Sequence, residues 1–142
     1  MGSSSLDLTV KNYLCLEETL TSAIMESSDT DRLVQKQTSA QIDQVRAEYA
    51  PEEDRIKNEI EGLDKTAQKD EYQDLLRELN DLVEERQDKI ERLEDELHMK
   101  ETDNQLKRES DQVRLEEVKA QRESFEEMRK EAIENEFGYF NN

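Results

Sequence analysis

Apolar residues recur with helical spacing in the first part of the chain. Their spacing is close to i, i+4, i+7, and they are Leu6, Val10, Tyr13, Leu14, Leu20 and Ile24. Because a helix turns once every 3.6 residues, they share one face, which predicts an amphipathic helix over residues 6–26. The polar run 27–30 then predicts a break, since short oxygen-bearing side chains cap a new helix. The first predicted segment is 1–28, a shorter N-terminal amphipathic helix.

A second apolar stripe predicts a return helix in segment 29–69. Its members are Ile42, Val45, Tyr49, Ile56, Ile60 and Leu63. Pro51 interrupts the stripe and predicts a kink or a short break, because proline lacks an amide hydrogen and clashes with the preceding turn. Gly62 predicts a helix end in the left-handed conformation and a reversal over 62–69. The alternative is that Gly62 is tolerated inside one continuous rod.

The segment 70–137 contains neither glycine nor proline and predicts a long coiled-coil helix. Its seam alternates spacings of four and three residues and comprises Tyr72, Leu76, Leu79, Val83, Ile90, Leu93 and Leu97. Arg86 breaks this run. Beyond Leu97 the register is polar, and apolar spacing returns at Leu115. The polar middle fits either a continuous helix or a tight turn at Asp103 and Asn104.

These segments predict an all-α protein, a long coiled-coil helical hairpin preceded by the shorter N-terminal helix and followed by an aromatic tail at 138–142. Only 32% of the 142 residues are hydrophobic and 41% are charged. That composition leaves no large globular core, so the apolar seams must be completed by other helices.

The charge excludes several partners. The formal net charge is -18, and every third of the chain is acidic. Phosphate backbones and anionic membrane surfaces are repelled, so we expect no direct binding to nucleic acid. We also expect no membrane span, because charged residues interrupt the most apolar stretch, residues 6–25. One alternative turns the acidity into a function: rows of carboxylates that imitate DNA and inhibit a basic protein.

Few residues are suited to catalysis or to ligand binding. The chain has one histidine, His98, one cysteine, Cys15, and three glycines, and it lacks a phosphate-binding loop. We therefore predict no enzymatic activity, no cofactor and no metal site. Cys15 lies among Tyr13, Leu14 and Leu16, which predicts a buried thiol.

The two ends of the chain carry the residues predicted to join molecules. They are Leu14, Leu20, Ile24, Phe125, Met128, Phe137, Tyr139 and Phe140. We predict a structural or assembly subunit that self-associates into a homo-oligomer or filament, or that binds a helical protein partner. At class level the chain resembles helical secretion-filament subunits and viral scaffolding proteins. The alternative hypothesis is a helical escort, a scaffolding protein or secretion chaperone that holds a client during assembly. The pattern fits an intracellular protein as well as part of a secreted or virion assembly.

Overall fold

The protein is a helical hairpin in a computed structural model, which describes the backbone of residues 2–141 and the side chains of residues 2–138. Helix α1 spans Ser3–Glu61 and helix α2 spans Lys69–Asn141. The described residues contain no strand. The predicted all-α class is therefore confirmed.

The shorter N-terminal helix is not found, because α1 continues through residues 27–30. The hydroxyls in this run do not cap a new helix. Thr30 Oγ1 donates to the carbonyl of Glu26 at 2.9 Å, one turn back along the same helix. Ser27 Oγ donates across to Asn104 Oδ1 at 2.7 Å. An N-cap oxygen accepts from a free backbone N–H, whereas both hydroxyls here donate to acceptors within the helix or across the seam.

The two helices are joined by a short turn that is organised by Asp64. Its Oδ1 accepts from the backbone N–H groups of Thr66 at 3.0 Å and Ala67 at 3.2 Å. These amides lie in the turn immediately before α2, and the Asp64 carboxylate supplies their acceptor as in an Asx turn. The backbone N–H of Asp64 in turn donates to Gln68 Oε1 at 3.1 Å. The two hydrogen bonds to Asp64 Oδ1 hold the pKa of Asp64 below its usual value.

Gly62 differs from its prediction. None of the described residues, glycines included, has a positive φ. The Gly62 amide instead bonds to the carbonyl of Asn58 at 3.2 Å, and the Leu63 amide bonds to that of Ile60. The last turn of α1 therefore closes in a right-handed conformation, and Asp64 makes the reversal without a left-handed residue.

Pro51, a predicted kink or short break, and the alternative turn at Asp103 and Asn104 both fall inside the helices. Pro51 is within α1, which the structure keeps helical on both sides of it. Asp103 and Asn104 are within α2, so the tight turn considered for that region is absent.

The chain divides into two compact units. The terminal unit comprises Met1–Thr30 and Thr102–Asn142, and the turn unit comprises Asp31–Glu101. Within each unit a portion of α1 is associated with a portion of α2. In the terminal unit the most deeply buried apolar side chains are Leu6, Val10, Leu20 and Val118, and the rings of Tyr13 and Phe125 stack with centroids 5.5 Å apart. In the turn unit they are Tyr49, Ile56 and Ile90.

Candidate functional site

The terminal unit contains a buried ion pair in its helix seam. Glu17 of α1 is 8% exposed, four residues from Tyr13 and three from Leu20, at a position that the apolar spacing would assign to the core. Arg122 Nε of α2 donates to Glu17 Oε2 at 2.6 Å, and Arg122 Nη1 donates to Glu126 Oε2 at 2.9 Å. The hydrogen bonds to the two carboxylates raise the pKa of Arg122. The guanidinium is thus fixed from both helices.

A second polar layer in the same unit joins Ser27 and Asn104. Besides the hydroxyl bond described above, Asn104 Nδ2 donates to the backbone carbonyl of Ser27 at 2.7 Å. Ser27 is 6% exposed, so these groups are satisfied by each other rather than by solvent. Paired polar groups inside a helical seam disfavour shifted registers, because any shift would leave them buried without partners.

The turn unit contains the counterpart of the Glu17–Arg122 pair. Glu53 of α1 is 6% exposed, and its Oε1 lies 3.0 Å from Arg86 Nε of α2. The Nε–H bond of Arg86 does not point at Glu53 Oε1, so the two side chains form an ion pair without an aligned hydrogen bond. Glu53 follows Glu17 by 36 residues, and Arg122 follows Arg86 by the same distance. Because 36 residues are about ten helical turns, the same glutamate–arginine layer is built in both units in the same antiparallel register.

An exposed cluster ties the two helices of the turn unit together near the turn. Arg55 of α1 contacts Glu52 and Glu59 on its own helix and reaches Glu78 of α2 at 3.6 Å. The hydrogen bonds from Arg55 lower the pKa of Glu52. Such surface pairs contribute little stability individually, so this cluster supports the hairpin but offers no recess for chemistry.

The predicted seams lie within the turn unit, and a single copy of the chain covers much of each. In the α2 seam Ile90 is buried, and Tyr72, Leu76, Leu79, Val83, Leu93 and Leu97 are half-buried. In the return helix Tyr49 and Ile56 are buried, and Ile42, Val45, Ile60 and Leu63 are half-buried. Arg86, which interrupted the pattern, is also half-buried, because its charge meets Glu53.

The predicted terminal residues divide between the seam and the surface. Leu20 is buried, and Ile24 and Phe125 are half-buried in the terminal unit. Leu14, Met128 and Phe137 are exposed, and Phe137 is the most exposed of them at 71%. The side chains of Tyr139 and Phe140 lie outside the described residues.

Sequence reasoning missed the strong bias of exposed apolar residues toward one unit. Among the described side chains, the large apolar ones that are exposed in the terminal unit are Leu8, Leu14, Met25, Leu106, Val113, Met128, Ile133 and Phe137. In the turn unit only Leu33 and Met99 belong to this class among the side chains described. Sequence analysis did not identify Leu106 and Val113 because they lie in the polar stretch between Leu97 and Leu115. Their spacing of seven residues is the signal that could have identified them.

The environments of the candidate reactive residues offer no enclosed site. Cys15 is exposed, which corrects its prediction as a buried thiol. It is two residues from Tyr13 and from Glu17, and a two-residue step turns a helix by about 200°, so it faces away from the seam. His98 is exposed as well. Over the described part of the chain, no group of three or more His, Cys, Asp or Glu residues is arranged to hold a metal ion. None of the described helices has an apolar stretch long enough to cross a membrane.

Comparison with known proteins gives no relative for this chain. No protein-family model, no curated protein and no solved structure matches it.

Proposed function

We propose that this protein is a non-enzymatic assembly subunit that self-associates through the terminal unit. One copy of the chain covers much of each helix seam, so contacts with other molecules are proposed to use the outer surfaces. Those of the terminal unit carry most of the exposed large apolar side chains of the described region. Large apolar side chains left exposed and grouped in one part of a protein are typical of interaction sites.

The observation that carries the proposal is the exposure of Phe137. This side chain is 71% exposed near the end of α2, and Ile133, one helical turn earlier, is 50% exposed. Burial of one such side chain at an interface is worth about 1.5 to 3 kcal/mol, so a pair of them is a strong anchor. Tyr139 and Phe140 follow Gly138 in the sequence and add two aromatic residues to this segment.

The net charge sets the conditions under which self-association is expected. A charge of -18 on each copy opposes close approach, and dissolved salt screens that repulsion. Apolar contacts are not weakened by salt in the same way. Assembly through Phe137 should therefore become stronger as the salt concentration rises, whereas binding driven by the acidic surface to a basic partner should become weaker.

Light scattering coupled to size exclusion tests the proposal over a hundredfold range of concentration. The full chain is compared with a form that lacks residues 138–142 and with Phe137→Ser/Ile133→Ser. The matched control is Leu33→Ser/Met99→Ser, because those side chains are 56% and 66% exposed but belong to the turn unit. We expect the mass of the full chain and of the control to grow with concentration, and that of the terminal variants to grow less.

A full chain that stays a monomer at every concentration and salt level would contradict the proposal. The helical escort would then be the hypothesis to test next, with a client protein supplied.

A further inference from the structure

The outer face of α2 in the terminal unit carries a row of apolar side chains that the hairpin does not use. Leu106, Val113 and Ala120 are separated by seven residues each and are exposed. Leu115 and Val118, which are half-buried and buried, lie two residues from Val113 and Ala120. Since two residues correspond to a rotation of about 200°, the exposed row points away from the seam. We name Leu106, Val113 and Ala120 the outer stripe.

The outer stripe is flanked by charges of opposite sign on its two sides. The position that follows each stripe residue holds Lys107, Arg114 and Gln121 in turn. The position three residues after each holds Glu109, Glu116 and Glu123. If the stripe is taken as the d row of a heptad, these are its e and g rows, which choose the partner and the orientation of a coiled coil. One edge of the stripe is basic and the other is acidic.

The basic edge is not engaged in ion pairs with any of the described residues. In the part of the molecule that the structure describes, neither Lys107 nor Arg114 makes an ion pair, and Glu116 on the acidic edge makes none either. All three side chains are exposed. Their charges are therefore available to a second molecule.

We propose that the outer stripe binds the outer stripe of a second copy of this chain, parallel and in register. This inference rests on the proposed self-association and names the surface that performs it. In a parallel pair the g row of one helix meets the e row of the other, so Glu109 faces Arg114 of the second copy, and the reciprocal pair forms by symmetry. In an antiparallel pair e meets e and g meets g, which would set Arg114 against Arg114 of the second copy and the glutamates against each other. The charge pattern therefore selects the parallel arrangement.

The a row of this heptad makes the contact weaker than that of a coiled coil with apolar a and d rows. It is occupied by Ser110 and Glu117, both exposed, so each heptad supplies one apolar layer instead of two. The two Glu117 carboxylates of a pair also repel each other. We expect a dimer that dissociates on dilution and that is strengthened by any change that makes this row apolar.

Single-cysteine cross-linking tests the register. In a Cys15→Ser background, Leu106→Cys, Val113→Cys and Ala120→Cys are each oxidised at high protein concentration. A parallel in-register pair brings each cysteine beside its own copy, within the Cβ separation of about 3.5 to 4.5 Å that a disulfide needs. All three variants should give disulfide-linked dimers at least ~10-fold faster than the control Gln112→Cys, which is exposed but off the stripe. An antiparallel pair would link only Val113→Cys with itself and Leu106→Cys with Ala120→Cys, and that result overturns the proposal.

Charge reversal tests the facing residues independently of any disulfide. Glu109→Lys places a lysine against Arg114 of the second copy and should weaken the dimer ~10-fold, since two symmetric pairs are lost and replaced by repulsion. The double variant Glu109→Lys/Arg114→Glu restores opposite charges and should recover the wild-type dissociation constant. No recovery in the double variant contradicts the parallel pairing.

The outcomes separate this inference from the proposed function. If the native chain self-associates and responds to Phe137→Ser/Ile133→Ser, but the stripe cysteines do not cross-link above the Gln112→Cys control, the outer stripe is not the interface and the proposed function stands. If the native chain is a monomer at every concentration and no cysteine variant cross-links, both the outer-stripe pairing and the proposed self-association are contradicted.

Discussion

The terminal unit and the turn unit have similar helix seams but differ in how many large apolar side chains they expose. Each pairs a portion of α1 with a portion of α2, and each contains one glutamate–arginine layer in the seam. The turn unit, however, exposes few large apolar side chains among those described, while the terminal unit exposes several times as many. The seam residues therefore account for the pairing of the helices, and under the proposed function the exposed apolar residues of the terminal unit are the ones that contact a second molecule.

The two ion pairs also differ in the quality of their geometry. Arg122 is held by aligned hydrogen bonds to Glu17 and Glu126, whereas Arg86 meets Glu53 without one. Charge-assisted hydrogen bonds are stronger and more orientation-dependent than an unaligned ion pair. The terminal unit thus gains more register specificity from its polar layer than the turn unit does.

The largest expected effect is the loss of stability on truncating Ile56, a buried apolar residue of the turn unit. Ile56 is 0% exposed, so Ile56→Ala should lower the free energy of unfolding by about 2 to 5 kcal/mol, through lost burial and a residual cavity. Leu33→Ala, at an exposed position of the same unit, should change it by less than about 0.5 kcal/mol. Urea denaturation followed by circular dichroism measures both. Equal losses in the two variants would mean that the helices of this unit do not pack at Ile56.

A double-mutant cycle tests the difference between the two ion pairs. Glu53→Ala, Arg86→Ala and the double variant should give a coupling energy of about 1 to 2 kcal/mol, as expected for a contacting and partly buried pair. The corresponding cycle on Glu17 and Arg122 should give a larger coupling energy, because that pair is aligned. Thermal or urea unfolding of the six variants supplies the values. A larger coupling at Glu53 would reverse the ranking of the two units.

The smallest effect concerns the cap of the turn. The hydrogen bonds from Thr66 and Ala67 lower the folded-state pKa of Asp64 from 3.8, so its charge stabilises the fold above that pH and the stabilisation is lost as pH falls through the lower folded value. Asp64→Asn keeps a capping oxygen but removes the charge. The variant should be slightly less stable than wild type at pH 7, and the difference should close as the pH is lowered below 3.8. Stability curves at several pH values measure it, and a difference that persists unchanged in acid would contradict the assignment.

Much of the hairpin was predictable because its apolar spacing is regular. The return stripe and the α2 seam contain residues that the structure buries or half-buries, and the acidic, strongly helix-forming composition predicted an all-α protein. Several failures came from polar residues. Ser27 and Thr30 predicted a cap, and Arg86 predicted a break in the seam, since side chains of these types are usually at helix ends or solvated.

The candidate surface was predictable only in part. Phe137 was identified from its place in an apolar tail, and the structure exposes it. The outer stripe went unnoticed because Leu106, Val113 and Ala120 stand among charged residues and do not continue the register of the seam. Cys15 was assigned to the interior from its apolar neighbours in sequence, although neighbours in a helix point in different directions.

The sequence by itself determined that this protein forms long helices, since helical periodicity, strong helix formers and the absence of glycine and proline between 70 and 137 act locally. The tertiary structure decided which polar residues enter the seam. A buried charge or hydroxyl is tolerated only where the opposite helix supplies its partner at the same level, as Arg122 does for Glu17 and Asn104 does for Ser27. That matching depends on residues 77 and 105 positions away, and a local pattern contains no information about it.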